Sequence, residues 1–289
     1  MATSYSVHPK ISMEDVGGYR LRVAYWPGEV DMGKRPLLFF NGIGANLELA
    51  FGLGEWMRDR QILTFDMPGV GGSEPAVFPY LPWQMARVAR KLCDRFGFDD
   101  LDVMGVSWGG AMAQQFAFQY RKRVQRLILA ATTAGIVMVP GHPEAIVKMR
   151  DPRRYNDPDY MRQNFATLYG DDDKEGAKSH AMGLQPPHPR GYTYQLLAMA
   201  TWTSLPFIRF LKMPTLIMMG DRDRIVPLIN GRILNTGLPN STLHVVENGG
   251  HLFLVTKAEA SIPVITEFLD ELDAEPKACD VKEANLGTA

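Results

Sequence analysis

Five short apolar runs, residues 37–40, 62–65, 101–106, 127–131 and 216–219, constrain the fold of this 289-residue chain more than any other feature. They are nearly continuous rather than alternating, as strands are when both faces of a parallel sheet are covered. Crossover helices must then run between them, and residues 81–96 supply one. Leu81, Met85, Val88, Ala89, Leu92 and Phe96 recur at helical spacing, with Arg87, Arg90, Lys91, Asp94 and Arg95 on the opposite side. The pattern predicts an α/β fold with a mostly parallel central sheet flanked by helices. Ahead of it, residues 19–26 alternate, with Leu21, Val23 and Tyr25 on one face, and read as a half-exposed strand. Near the other end, Thr256 and Glu259 have capping-box spacing before Ile262, Val264, Phe268 and Leu269. That predicts a last helix, kinked or split at Pro263.

Residues 136–210 interrupt the alternation of strands and helices, with eight prolines, three of the six histidines and the acidic patch 171–175. The predicted organisation is a first core part over 1–135, a lid inserted over 136–210 above the C-terminal edge of the sheet, a second core part over 211–273, and a disordered polar tail over 274–289. Met138, Met149, Met161, Met182 and Met199, with Tyr155, Tyr160, Tyr192, Tyr194, Trp202 and Phe207, would either line a pocket for aliphatic groups or pack the lid onto the core.

The balance of 31 basic and 32 acidic residues leaves a net charge of -1, so no broad positive field exists to attract nucleic acid or anionic lipid. No eighteen-residue apolar run occurs, and MATSYSVHPKISMEDVGG holds no apolar stretch behind a basic region. The expectation is a cytoplasmic chain without a membrane span. Cys93 and Cys279 form neither a disulfide framework nor a zinc spacing, and His142, His180 and His188 show no paired ligand spacing. Neither a metal nor a cofactor is expected.

The chemistry concentrates in LDVMGVSWGGAMAQQFA, where Gly105, Ser107 and Gly109 form a GxSxG elbow between a buried run and a helical one. Glycines on either side let the chain turn sharply and push the hydroxyl away from the sheet edge. A serine is a poor nucleophile at neutral pH, so the elbow needs a histidine base and an acid to orient it, in the order serine, acid, histidine. PTLIMMGDRDRIVP offers Asp221 and Asp223. Asp223 is the better candidate because Asp221, beside Gly220, is placed to bond the turn. STLHVVENGGHLFLVTKAEA offers His244, inside an alternating strand, and His251, in the loop after it. Only the loop residue can swing over the serine, which selects His251.

The glycines of LLFFNGIGANLEL fit neither a dinucleotide fingerprint nor a phosphate loop. They fit an oxyanion loop, with backbone N–H groups from Ile43 and Trp108 aimed at the developing negative charge. The other glycine-rich stretch, residues 66–75, lies along the site edge and carries no assigned chemistry.

With FNGIGANLEL, FDMPGVGGS, GVSWGGAMAQQFA, LAATTAGIVMVPG, DPRRY, WTS, GDRDRIVPLINGRIL and GGHLFLVTKAEA in this order, the chain resembles the α/β-hydrolase superfamily. Within it the chain looks like the intracellular depolymerases of medium-chain-length poly(3-hydroxyalkanoate). The likeness runs from about residue 37 to about 270. It is weakest before residue 20 and over 157–190. It implies ester hydrolysis through a Ser107, His251, Asp223 triad and an acyl-enzyme, without a cofactor, at the surface of a cytoplasmic storage granule. An esterase, lactonase or carbon–carbon bond hydrolase of small hydrophobic substrates is the alternative on the same scaffold. A granule-coat or ligand-binding protein is the alternative without chemistry.

Overall fold

The computed structural model describes residues 8–28, 33–149, 151, 153–171 and 173–271. Eight strands form one sheet: β1 (Lys10–Val16), β2 (Tyr19–Trp26), β3 (Leu37–Phe40), β4 (Ile62–Phe65), β5 (Leu101–Val106), β6 (Val124–Ala130), β7 (Thr215–Gly220) and β8 (Ser241–Val246). Their spatial order is β1-β2-β4-β3-β5-β6-β7-β8. β1 and β2 pair antiparallel, as do β2 and β4, and every other pairing is parallel. The five apolar runs are β3 to β7, and β3, β4 and β7 are buried at every position.

The helices are α1 (Phe51–Trp56), α2 (Pro82–Arg95), α3 (Trp108–Gln119), α4 (Pro143–Met149), α5 (Arg153–Asn156), α6 (Pro158–Tyr169), α7 (Lys174–Gly183), α8 (Pro189–Ala200), α9 (Ile229–Gly237), α10 (Phe253–Thr256) and α11 (Ala258–Asp270). On one face of the sheet α2, α3 and α9 contribute Met85, Leu92, Phe116 and Leu234 to a core shared with Leu38, Val103 and Leu129. On the other, α1, α10 and α11 add Leu53, Phe253, Ile262 and Ile265 to Leu37, Met104 and Ile128. Helices α4 to α8 lie in sequence between β6 and β7, and Met161, Phe165, Leu168, Tyr169 and Leu184 give them a cluster of their own.

Several local expectations need correction. Residues 19–26 are half-exposed only in their first half: Arg20 is exposed and Arg22 partly so, whereas Ala24 and Trp26 further along are buried, Trp26 edge-on against Phe51 of α1. Leu81 is not part of the buried stripe of α2 but the exposed residue ahead of it. No capping box starts the last helix. The Thr256 hydroxyl instead donates to Asp171, and α10 and α11 are separate elements. Nor does Pro263 split α11. It lies on the solvent face, opposite exposed Glu259 one turn earlier, while Ser261, Ile262, Ile265 and Leu269 anchor both halves. The tail expected to be disordered lies outside the described residues. Among the described residues no helix is long and apolar enough to cross a membrane.

This strand order fixes where a ligand can sit. From β3 the chain moves one way to β4 and returns on the other side to β5, so the crevice beyond the ends of β3 and β5 is a topological switch point. The loop after β3 and the elbow after β5 flank it.

Candidate active site

Ser107 joins β5 to α3 with φ 55° and ψ -121°, a conformation that costs a non-glycine residue about 1–3 kcal/mol. Its neighbours hold it there. The Ser107 N–H donates to the Ala130 carbonyl at 2.9 Å, and its own carbonyl accepts from Gly110 N–H at 2.9 Å and from the Thr132 hydroxyl at 2.7 Å. With both backbone groups engaged, the side chain is the part left to face the crevice. The flanking glycines are required by close approach. A Cβ on Gly105 would stand 2.1 Å from the Gly109 carbonyl oxygen, and one on Gly109 would stand 2.0 Å from that of Phe40.

The acid and the histidine meet at the ends of β7 and β8. Asp223 Oδ1 accepts from the N–H groups of Ile225 and Val226, each at 2.8 Å, and Oδ2 lies 2.7 Å from His251 Nδ1. Facing a carboxylate oxygen, Nδ1 carries the proton, which leaves the Nε2 lone pair as the basic site. Asp221 is exposed, and its N–H bonds the β8 end at Val246 instead. His244 lies inside β8, paired with Met218. Among the described residues no hydrogen bond joins the Ser107 hydroxyl to His251; such contacts often tighten only when substrate binds.

The loop after β3 has a simple hydrogen-bond logic. Gly42 N–H donates to Asn41 Oδ1 at 2.9 Å, Gly44 N–H to Gln195 Oε1 at 3.0 Å, and Ala45 N–H to the Gly42 carbonyl at 3.2 Å. Asn41 Nδ2 closes the turn on the Asn46 carbonyl at 3.1 Å. Of four successive N–H groups, only that of Ile43 has no acceptor among the described residues. Trp108, the first residue of α3, likewise has no intrahelical acceptor for its N–H, and α3 directs its N-terminal dipole at the same crevice. A Cβ on Gly42 would be 3.8 Å from that of Ser107, so this loop and the elbow are in contact.

Residues between β6 and β7 reach into this arrangement. The carbonyl of Tyr169, last in α6, accepts from His251 N–H at 2.6 Å. Gly170 caps α6 at φ 81°, where a Cβ would press on the Arg222 carbonyl oxygen at 1.8 Å. The end of α6 is thus wedged between the acid loop and the histidine loop. His180 sits 3.4 Å from the Tyr169 hydroxyl; burial, with Arg154 and His251 nearby, pushes its pKa down to about 4. From α5 and α8, the Tyr155 hydroxyl and the Tyr192 ring lie against Gly44.

Of the aromatic and methionine residues of 136–210, some pack onto the core and others lie against the loop after β3. Tyr155 and Tyr192 lie against Gly44, whereas Trp202 bonds Gln115 of α3 and Phe207 stacks on Phe118 at 4.3 Å. Met161 is buried among the inserted helices, and Met182 is exposed. Along the rim, Asp66 accepts from Leu47 N–H at 2.7 Å and Gly72 N–H at 3.0 Å, tying two loops together, and burial pushes its carboxyl up to about 7. The sequence marks Asn41 as a residue that could hold the loop's shape, which its bonds to Gly42 N–H and the Asn46 carbonyl do, but it gives no sign of Thr132, Tyr169 or Gln195 as supports. Thr132 and Gln195 act through side-chain bonds to distant backbone groups, and Tyr169 acts through its carbonyl. Among the described residues no group of three metal-ligating side chains occurs.

A model of the α/β hydrolase fold family matches residues 35–258. Among characterised proteins, a poly(3-hydroxyalkanoate) depolymerase of Ectopseudomonas oleovorans is 44% identical over 255 residues, covering 87% of this chain and 89% of its own length. A 2-hydroxymuconate semialdehyde hydrolase of Pseudomonas putida is 28% identical, covering 90% of this chain and 96% of its own. Among solved structures, a meta-cleavage product hydrolase from Pseudomonas fluorescens IP01 superposes with a TM-score of 0.74 at 20% identity, over 92% of this chain and 99% of its own. At that identity the superposition speaks for the fold.

Proposed function

The chain belongs to the α/β hydrolase fold family, and from that premise we propose that it is a serine hydrolase cleaving the ester bonds of medium-chain-length poly(3-hydroxyalkanoate). The observation that carries the substrate is the 44% identity, over most of both chains, to a poly(3-hydroxyalkanoate) depolymerase. The reaction is supported by the Asp223–His251 pair and by a strained serine at a topological switch point.

In this reading Ser107 Oγ attacks the ester carbonyl as His251 Nε2 takes its proton. Asp223 stabilises the imidazolium and keeps Nδ1 protonated. The N–H groups of Ile43 and Trp108 hold the oxyanion, and losing one such donor typically costs about 3–4 kcal/mol. His251 then gives its proton to the departing alkoxide of the next hydroxyacyl unit. Water activated by the same nitrogen releases the 3-hydroxyacyl group from Ser107.

Work on a cytoplasmic granule accords with an exposed apolar rim. Phe78 is 77% exposed, and Val77, whose carbonyl accepts from Tyr194, adjoins α8, where Leu196, Leu197 and Met199 are also exposed. Apolar residues gathered beside a site mark a surface that adsorbs another apolar phase.

Likeness to 2-hydroxymuconate semialdehyde hydrolases at 28% and 27% identity favours a second reading, cleavage of a carbon–carbon bond in a small substrate. Emulsified medium-chain polyester and short p-nitrophenyl esters, given in parallel to the wild type and to Ser107→Ala, separate the two. Release of soluble 3-hydroxy acids by the wild type alone is expected. Short-ester cleavage with the polymer untouched would sink the polyester reading.

A further inference from the structure

Arg153 and Arg154 are neighbours with opposite circumstances. Arg153 is exposed and forms an ion pair with Asp151 at 2.6 Å. Arg154 is 5% exposed, and among the described residues no carboxylate lies within ion-pairing distance of it. Its guanidinium touches the Met149 sulfur at 3.5 Å, the Tyr155 hydroxyl, and the Tyr192 hydroxyl at 3.4 Å, and it lies 4.1 Å over the Tyr155 ring. Among the described residues its Nε has no acceptor. An arginine stays charged at any working pH, and a buried charge without a counterion is costly. Such a charge, two of whose tyrosine partners lie against Gly44 beside the crevice, implies an anion that arrives later.

The groups around it point the same way. Gln195 is fully buried; its Oε1 is held by Gly44 N–H, and its Nε2 has no partner among the described residues. Because the Tyr155 and Tyr192 oxygens accept from the guanidinium, their hydrogens turn away from it. At most one of these can bond the other phenol, so one remains to donate. Guanidinium N–H, phenol O–H and amide N–H thus gather beside the loop after β3 with no carboxylate paired to the guanidinium among the described residues. They do so at the oxyanion loop, since the Tyr155 hydroxyl and Tyr192 ring both lie within about van der Waals contact of a Cβ placed on Gly44.

We propose that Arg154, with Tyr155, Tyr192 and Gln195, binds the terminal carboxylate of a hydroxyacyl chain and so directs cleavage to the carboxyl end. This rests on the polyester reading above. In the last ester of such a chain the alcohol side is O–CHR–CH2–COO⁻. Its carboxylate carbon stands four bonds from the scissile carbonyl carbon, about 5 Å away when extended. Binding it would present the final ester to Ser107 and release one 3-hydroxy acid per cleavage. The chain interior, which has no carboxylate, would gain nothing from the site.

Two soluble substrates test this: a 3-hydroxyoctanoyl dimer with a free carboxylate, and the same dimer capped as its methyl ester. The wild type should prefer the free acid by about 30-fold in kcat/KM, the scale of a charged hydrogen-bonded contact. In Arg154→Met the ratio should fall to near one, and in Arg154→Lys it should recover in part. A merely structural arginine would lower both rates and leave the ratio intact, which would overturn the proposal. The wild type alone provides a check that does not depend on a variant folding. 3-Hydroxyoctanoate should compete against p-nitrophenyl octanoate far better than its methyl ester, and equal inhibition would contradict the site. If the wild type cleaves p-nitrophenyl octanoate but neither dimer, the polyester reading fails and takes the site with it. If it cleaves both dimers alike, only the carboxylate site is lost.

Discussion

In the loops after β7 and β8, polar groups of the proposed catalytic pair are matched: Asp223 accepts from two backbone N–H groups and the His251 ring, and His251 N–H is held by Tyr169. In helices α5 and α8, whose Tyr155 and Tyr192 lie against Gly44, Arg154 Nε and Gln195 Nε2 are buried without partners among the described residues. Both regions are built from side chains of similar polarity, so composition does not account for the difference. A triad has to be rigid before the substrate arrives, because preorganised groups cost no reorganisation during reaction. A recognition site must leave something for the substrate to satisfy.

The comparison is tested most strongly at Ser107. Ser107→Ala should lower turnover of p-nitrophenyl esters by about a millionfold, as removal of a triad nucleophile does elsewhere; turnover within tenfold of wild type would mean the elbow is not catalytic. Asp223→Asn keeps the shape but favours the wrong histidine tautomer, and kcat should fall about 10,000-fold with the melting temperature little changed. A smaller loss is expected at Asn41, whose side chain holds the proposed oxyanion loop through Gly42 N–H and the Asn46 carbonyl. Asn41→Ala should cost about 10- to 100-fold in kcat, less than loss of a donor itself, with KM changing less.

Unlike these, His180 should affect stability. Its folded pKa, about 4, lies below the ordinary histidine value of about 6.5. The unfolded chain therefore binds more protons between those limits, so stability rises with pH across them and is lost as pH falls from 6.5 toward 4. The full effect is about 3 kcal/mol. Denaturant melts at pH 5 and pH 7 should differ less in His180→Gln than in the wild type. An unchanged difference would remove His180 from the account.

How much of this could be read in the sequence also follows the two regions. Strands β3 to β7 were legible because burial on both faces leaves unbroken apolar runs, and the elbow because close backbone approach, of Gly109 to Gly105 and of Phe40 to Gly109, forces both glycines. β1 was not anticipated, since its outer positions are exposed and it pairs along one edge only. The start of α11 was misread because Thr256 bonds Asp171, 85 residues away, rather than the helix beside it. Arg154 lies in a segment, DPRRY, whose two arginines are indistinguishable as letters. Only the packing shows that one meets Asp151 and the other meets tyrosines.

Product analysis on medium-chain polyester granules, with wild type and Ser107→Ala side by side, tests the central claim most directly. Soluble 3-hydroxy acids should accumulate with the wild type and stay at background with the variant. Equal release from both would remove Ser107 from the chemistry, and no release from either, in a preparation that still cleaves p-nitrophenyl esters, would contradict the polyester as substrate.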